Sequence, residues 1–532
     1  MNKMNLIDKL VAAFDPIRGL RRAQARKALA SSSWWSADNR RRGTRSWAIQ
    51  AKSAKADINP DLPDLRSQSR DLIRNNPIAA AAINLLVDCV VGSGLTCSPD
   101  VEDSGLAETL STAWDTYADS AEVSADGMAD LHELIALAYR SMLESGDVLL
   151  LRVTDGDVLR WQVIEADRLC NPGRAIDGAD GEQGKIFGGV EIDDVGRPLA
   201  YHLLSEHPGD PRGYSATWER RPARDSLGLP LVIHLFHRTR PGQTRGVPLL
   251  APVCETLYKL GKFIDAELDA AVTGSFLSLA ITSESGTGLS TRNPSLEPEE
   301  SASASDELVI APNEAFFLRP GESVQQIKPE HPSDLFGPFV ETQASFIGAA
   351  IGIPKEVLLR YYQSSYSASR AALQDAWRGF FARRDKVAKE LYSRIYETFI
   401  AWEAINGRLA VDVSTHAARR VASFAEWTGT AVPQLDPVDE VVAARRRIET
   451  GISNRTIECA ALTGREWEAV IARRAAEDEI MRELGMEPMA EQDLECVATH
   501  AVRHDAEDAE DVIGAQARRG VRLEMSEVRR RH

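Results

Sequence analysis

Apolar positions recur at helical spacing along much of this 532-residue chain. Between residues 62 and 91 the pattern breaks at Asn75-Asn76-Pro77. Pro77 is suited to the first turn of a new helix, where its missing N–H costs nothing, and Gly92-Ser93-Gly94 ends that helix. Leu131, Leu134, Ile135, Ala138 and Met142 then share one face of a helix predicted over 131–145 and closed by Gly146-Asp147. The period changes to two over 148–153 and 158–164, which flank the hairpin signal Asp155-Gly156. Residues 186–192 and 199–204, joined around Asp194-Val195-Gly196, predict a second hairpin, and 231–236 a further strand. Together they predict an α+β unit with a mostly antiparallel sheet.

Helical spacing resumes over 248–276, with Leu250, Val253, Leu257, Leu260, Ile264 and Leu268 as the apolar stripe. Residues 282–305, rich in Ser, Thr, Gly, Pro and Glu, read as a flexible loop. A short β-rich piece follows over 308–327. Ser333 is the expected N-cap of a second helix running to Ile351 and stopped by Pro354. After a Ser- and Tyr-rich turn, a third helix is predicted over 369–406, carrying Leu373, Trp377, Phe380, Val387, Leu391 and Ile395. Beyond Pro433 come a helix over 438–449, a turn at 450–453, a Glu- and Arg-rich helix over 464–484 and a polar tail. Two long helices thus bracket a compact β insertion.

Hydrophobic residues at 43% and charged residues at 27% fit an ordered globular chain, and its length exceeds what one core usually serves. No apolar run approaches the roughly 18 residues of a membrane span, and Lys3, Asp8, Lys9 and Asp15 interrupt any signal-peptide core. Folding in the cytoplasm, with no membrane partner, is expected. Six cysteines, at 89, 97, 170, 254, 459 and 496, form no C-x-x-C pair and suggest neither a zinc site nor a disulfide framework.

The net charge of −17 is unevenly placed, because residues 1–60 hold thirteen Lys or Arg and four Asp, a balance of +9 that leaves −26 on the rest. A basic arm therefore precedes an acidic body. In the arm, Arg40, Arg41, Arg42 and Arg45 interleave with Trp34, Trp35 and Trp47. That pattern suits a grip on nucleic acid through phosphate contacts and stacking, and equally a wedge into an acidic neighbouring subunit. The acidic body suits a wall along which DNA slides, and equally plain solubility.

Catalytic spacings are missing from the sequence: there is no G-x-S-x-G, G-x-G-x-x-G, H-E-x-x-H or G-x-x-x-x-G-K-[ST]. His234 and His237 would serve as metal ligands or nuclease bases, or sit satisfied at a strand edge. Asp193-Asp194, and Asp436 with Asp439, would bind Mg²⁺ or make turns and caps. The serines of 364–369 have no histidine within thirty residues and read as helix-capping rather than nucleophilic. No enzyme activity, cofactor or metal is expected.

Five motifs in order carry a resemblance. They are Ser69-Arg-Asp-Leu-Ile-Arg-Asn-Asn-Pro77 with Gly92-Ser-Gly94; His234-Leu-Phe-His-Arg-Thr-Arg-Pro-Gly-Gln-Thr-Arg-Gly-Val-Pro248; Gly352-Ile-Pro354; Ser365-Tyr-Ser-Ala-Ser-Arg-Ala-Ala-Leu373; and Gln434-Leu-Asp-Pro437. The chain resembles the lambda-type portal proteins of tailed bacteriophages. The resemblance implies a portal fold with an α/β wing, long stem helices, a small β-containing clip and a helical crown. Mapped onto this chain, 1–59 is the basic arm, 60–245 the wing, 246–276 and 333–351 the stem helices and 277–332 the clip. The tunnel loop is then 352–370, the tunnel helix and wing remainder 371–432, the crown 433–490 and the polar tail 491–532.

The resemblance further implies a homododecameric ring at one capsid vertex of the virion, made in the host bacterial cytoplasm. Double-stranded DNA would pass the tunnel-loop residues Lys355, Arg360, Tyr361, Tyr362, Gln363, Ser364, Ser365 and Tyr366. Implied partners are the terminase large subunit, the major capsid and scaffold proteins, and a head-completion or adaptor protein. A minor structural capsid protein without a channel, and a metal-dependent phage nuclease, are the alternatives.

Overall fold

The computed structural model describes residues 51–211, 216–276, 279–283, 322–326, 335–363, 365–432 and 437–486. Arg40, Arg41, Arg42, Arg45, Ser333, Ser364, Asp436, Cys496, most of the Ser/Gly-rich segment 282–305, residues 308–321 and 327, and the tail beyond residue 486 lie outside the described residues. The chain divides into two units, Met1–Asp57 and Ile58–His532. Of the first, only residues 51–57 are described, and they enter the helical turn Ala54–Ile58.

The second unit opens with α1 (Leu62–Asn75) and α2 (Pro77–Val90), and Asn76 makes the break between them. Its extended backbone leaves α1, and its Oδ1 accepts from the amides of Ile78 (3.0 Å) and Ala79 (3.2 Å), satisfying donors that the start of α2 leaves open. β1 (Thr96–Pro99) and α3 (Ser104–Ala118) follow, and then α4 (Leu131–Ser145), which Gly146 ends at φ +92°. The hairpin of β2 (Asp147–Asp155) and β3 (Val158–Glu165) forms where the sequence places it, with Asp155 opposite Val158.

The expected single sheet is instead two. β2 is the centre of a three-stranded antiparallel sheet ordered β3-β2-β9, with β9 spanning Val232–Phe236. A second sheet has the order β4-β5-β6-β7-β8, from Ala179–Asp180, Lys185–Phe187, Val190–Ile192, Pro198–Leu204 and Trp218–Pro222. The strand predicted over 186–192 is split because Gly188 and Gly189, at φ +57° and +83°, turn the chain between β5 and β6.

The long helix α5 spans Cys254–Phe276 rather than starting at Pro248, because Ala251–Val253, with Pro252 inside, forms a tighter turn first. β10 (Leu279–Ser283) pairs antiparallel with β11 (Glu322–Gln326) between α5 and α6 (Phe336–Ile351). A short helix missed in the sequence, α7 (Lys355–Leu359), comes next. The third long helix starts at Tyr366, three residues earlier than expected: α8 (Tyr366–Val387) passes through a π-helical turn, Ala388–Tyr392, into α9 (Ser393–Ile405). α10 (His416–Ala422) leads to β12 (Ala425–Thr428), which pairs antiparallel with β1. The described chain closes with α11 (Pro437–Glu449), α12 (Arg455–Thr463) and α13 (Trp467–Glu483).

One core gathers α1 to α4, the three-stranded sheet, the first half of α5, and α6 to α9. At its aromatic centre Trp114 meets Tyr396 at 5.1 Å and Phe399 and Trp427 at 5.6 Å, edge to face. A smaller core lies between the two sheets, around Leu149, Ile164, Tyr201 and Leu203.

Candidate functional site

The segment from α6 to α8 is held at its base and free at its tip. α6 ends at Gly352, whose φ of +75° suits a residue without a side chain, and its amide returns to Gly348 O. A Cβ on Gly348 would sit 2.3 Å from Ile353 O, so only glycine lets the chain fold back here. Arg383 Nη2 donates to Ile351 O at 2.6 Å from the facing helix. Pro354 precedes α7, which buries Val357 and Leu358.

Arg360 then takes a left-handed conformation, φ +52°, the one such non-glycine residue among the described residues. Beyond it Tyr361, Tyr362 and Tyr366 are 52%, 46% and 58% exposed. Gln363 Nε2 donates to Tyr361 Oη. Lys355 is apart from this knuckle, at the start of α7, where its Nζ lies 3.2 Å from Glu341 on α6. Of the residues singled out in the sequence, Arg360 to Gln363, Ser365 and Tyr366 therefore share the tip, and Lys355 stands at its base. Ser365 occupies the N-cap position of α8 without a side-chain cap bond.

Three buried cations anchor the scaffold beneath. Arg384 on α8 donates to Val90 O (3.2 Å) and Cys89 O (2.8 Å) at the end of α2, and to Thr430 O (3.0 Å). The motif 234–248 closes on Asp147, which is fully buried at the start of β2. Asp147 accepts from Arg245 Nε at 2.5 Å and Arg66 Nη2 at 2.9 Å, with His234 Nε2 at 3.2 Å. Burial opposes the Asp147 charge, yet Arg245 and Arg66 outweigh it and hold the carboxyl below the usual carboxylate range. Burial and the neighbouring Arg245 bring Arg66 down to about 10. Arg245 also donates to Leu169 O, Gly188 O and Ala166 O, joining both sheets. Gly246 allows this closure, since a Cβ there would meet Gly146 O at 1.8 Å.

This hub explains why His234 is a strand histidine: it faces a carboxylate already bound by two guanidiniums. His237 points elsewhere, its Nδ1 3.2 Å from Lys386 Nζ. Asp193 is a turn residue, accepting from the amides of Val195 and Arg197. Asp439 lies in the first turn of α11. Cys89, Cys97, Cys170, Cys254 and Cys459 are free thiols.

The paired helices α5 and α6 leave large apolar side chains in solvent: Tyr258 and Leu268 on one, Phe339 and Phe346 on the other, from 46% to 63% exposed. No described helix is long and apolar enough to cross a membrane. Sequence reasoning missed Arg383 and Arg384, whose signal was two arginines amid the apolar face of a helix.

The family described as phage portal protein, lambda family, matches residues 40–384, more than half of the chain. The chain is 26% identical over 499 residues to the portal protein of Escherichia phage N15, covering 84% of this chain and 89% of that one. It is 25% identical over 485 residues to portal protein B of Escherichia phage lambda, with the same coverage. Among solved structures, the neck of a native gene transfer agent particle is similar at a TM-score of 0.41 and 15% identity, covering 74% of this chain and 92% of that one.

Proposed function

From a chain that belongs to the lambda family of phage portal proteins, we propose a homododecameric ring at one capsid vertex through which double-stranded DNA enters and leaves the head. The family match over residues 40–384 carries this reading. The apolar side chains left exposed on α5 and α6 support it, because a lone subunit gains nothing by holding Leu268 and Phe346 in water, whereas packing against a neighbour buries them.

Within that ring the arm is 1–59, the wing 60–245, the stem α5 and α6, the clip 277–332 and the crown 433–490. The segment between α6 and α8 faces the DNA. There the geometry favours brief contact. Arg360, Tyr361, Tyr362, Gln363, Ser365 and Tyr366 form a short polar and aromatic tip, while the charge of Lys355 is partly neutralised by Glu341. A net charge of −17 on each subunit repels phosphates along the rest of the path and favours sliding over sticking. The clip would receive the terminase large subunit during packaging and an adaptor protein afterwards, and scaffold and capsid proteins would meet the wing.

The test is the mass of the purified assembly together with electron micrographs of the same sample. A closed ring of about twelve subunits with an axial hole is expected. A chain that stays monomeric even when co-expressed with its scaffold and capsid proteins overturns the reading.

A further inference from the structure

A cleft of about 680 Å³ opens between the five-stranded sheet, β9 and the helices α8 to α10. Its rim is cationic: Arg197, Arg224, Arg238, Lys386, Arg394 and Arg420, against the carboxylates of Glu390 and Glu397. This balance of six cations to two anions stands on a chain whose net charge is −17. Arg224 donates to Gly228 O and Lys386 to Phe236 O. Among the described residues, Arg197, Arg394 and Arg420 form no ion pair. Like charges gathered at one rim repel, and three of them are left without a paired carboxylate, which points to an anionic occupant.

The floor decides which kind of anion. Val190, Ile192, Pro198 and Val232 make it apolar. Its two aromatic rings are already covered: Tyr201 is buried with its ring against His234, and Phe236 lies between His234 and the guanidinium of Arg238. Beyond these, His416 is the exposed ring in the lining, a single small stacking face that serves a strand of successive bases poorly and disfavours a nucleic acid occupant. A peptide alternating carboxylates with small or branched apolar side chains meets both rim and floor.

The sequence holds one such segment, and it is the densest acidic run of the chain. Asp505-Ala-Glu-Asp-Ala-Glu-Asp511 carries five carboxylates in seven residues and is followed by Val512-Ile513. It lies beyond the last described residue, Met486, on a tether of up to about 65 Å when extended. We infer that residues 505–513 of the same chain dock in this cleft, their carboxylates on Arg197, Arg394 and Arg420 and Val512-Ile513 on the apolar floor. This holds whether or not the chain forms the ring proposed above.

The full-length chain carrying p-benzoylphenylalanine in place of His416, which lines the cleft, provides the test. After illumination and tryptic digestion, cross-links to the 504–518 peptide are expected. Arg394→Glu with Arg420→Glu should lower their yield about tenfold, and adding Asp508→Arg with Asp511→Arg should restore it, read on the fragments 504–508, 509–511 and 512–518 that trypsin then releases. Unchanged thermal melting of each variant separates loss of docking from loss of fold. Mixing ¹⁵N-labelled and unlabelled chains tells a segment docked in its own chain from one supplied by a neighbour. Cross-links to other peptides or to a neighbour's segment, none at all, a yield indifferent to the charge reversals, or photoproducts removed by nuclease each overturn the proposal, the last in favour of nucleic acid.

Discussion

His234 shows what a single buried ring does to stability. It faces Asp147 but also lies near Arg245 and Arg66, and burial, then those guanidiniums, lower its pKa in spite of the carboxylate. The ring stays neutral in the fold while an unfolded chain titrates near 6.5, so below that value the unfolded state takes up the extra proton. Stability should therefore fall as pH drops through about 6.5. His234→Gln keeps a donor toward Asp147 and removes the titration. Urea melts at pH 7.5 and 5.5 should show a smaller pH-dependent loss in this variant, and an equal loss would place the acid sensitivity elsewhere. His237, lowered by burial and then by Lys386, acts in the same direction and sets the residue left over.

Between elements one tie is Arg384, which carries three main-chain carbonyls on one guanidinium and lies over the rings of Trp377 and Phe381. Arg384→Met fills the space but leaves buried acceptors at the end of α2 unmet, a loss of about 3 kcal/mol in urea unfolding. The loss should spare far-ultraviolet helicity at low urea, since α2 and α8 persist without the tie. This contact also marks where sequence reading stops. The break at Asn75-Asn76-Pro77, the helix 131–145 and the hairpin at Asp155-Gly156 were legible because local signals decide them: a cap, a 3.6-residue stripe and a turn pair. The helix α3 went unread although Leu106, Leu110, Trp114 and Tyr117 share one face, because its polar start disguised it. What pairs at a distance was not. Nothing around residue 96 announces residue 428, and the aromatic signal of 361–366 says where a knuckle lies but not that Lys355 is paired back onto α6.

For the whole molecule the exposed apolar faces of α5 and α6 set the terms of assembly. Phe346 is 63% exposed, so Phe346→Lys should change the melting of the isolated subunit by less than about 1 kcal/mol. In a ring the same lysine meets a neighbour's apolar surface, and burying it unpaired costs several kcal/mol per interface. Analytical ultracentrifugation should show rings lost and folded subunits kept. Rings that form as readily as with the native chain would place the subunit contact on another face.

The pairing of β1 with β12 also governs when the subunit is finished. Thr96 lies opposite Thr428, and Trp427 fills the centre around Trp114. A nascent chain exposes that aromatic centre from the time residue 114 leaves the ribosome until residue 428 follows. At a synthesis rate of about 5 to 20 residues per second this is roughly 15 to 65 s. For that interval each new subunit is a partly open core among many copies of itself, and the last strand to emerge is the one that shuts it.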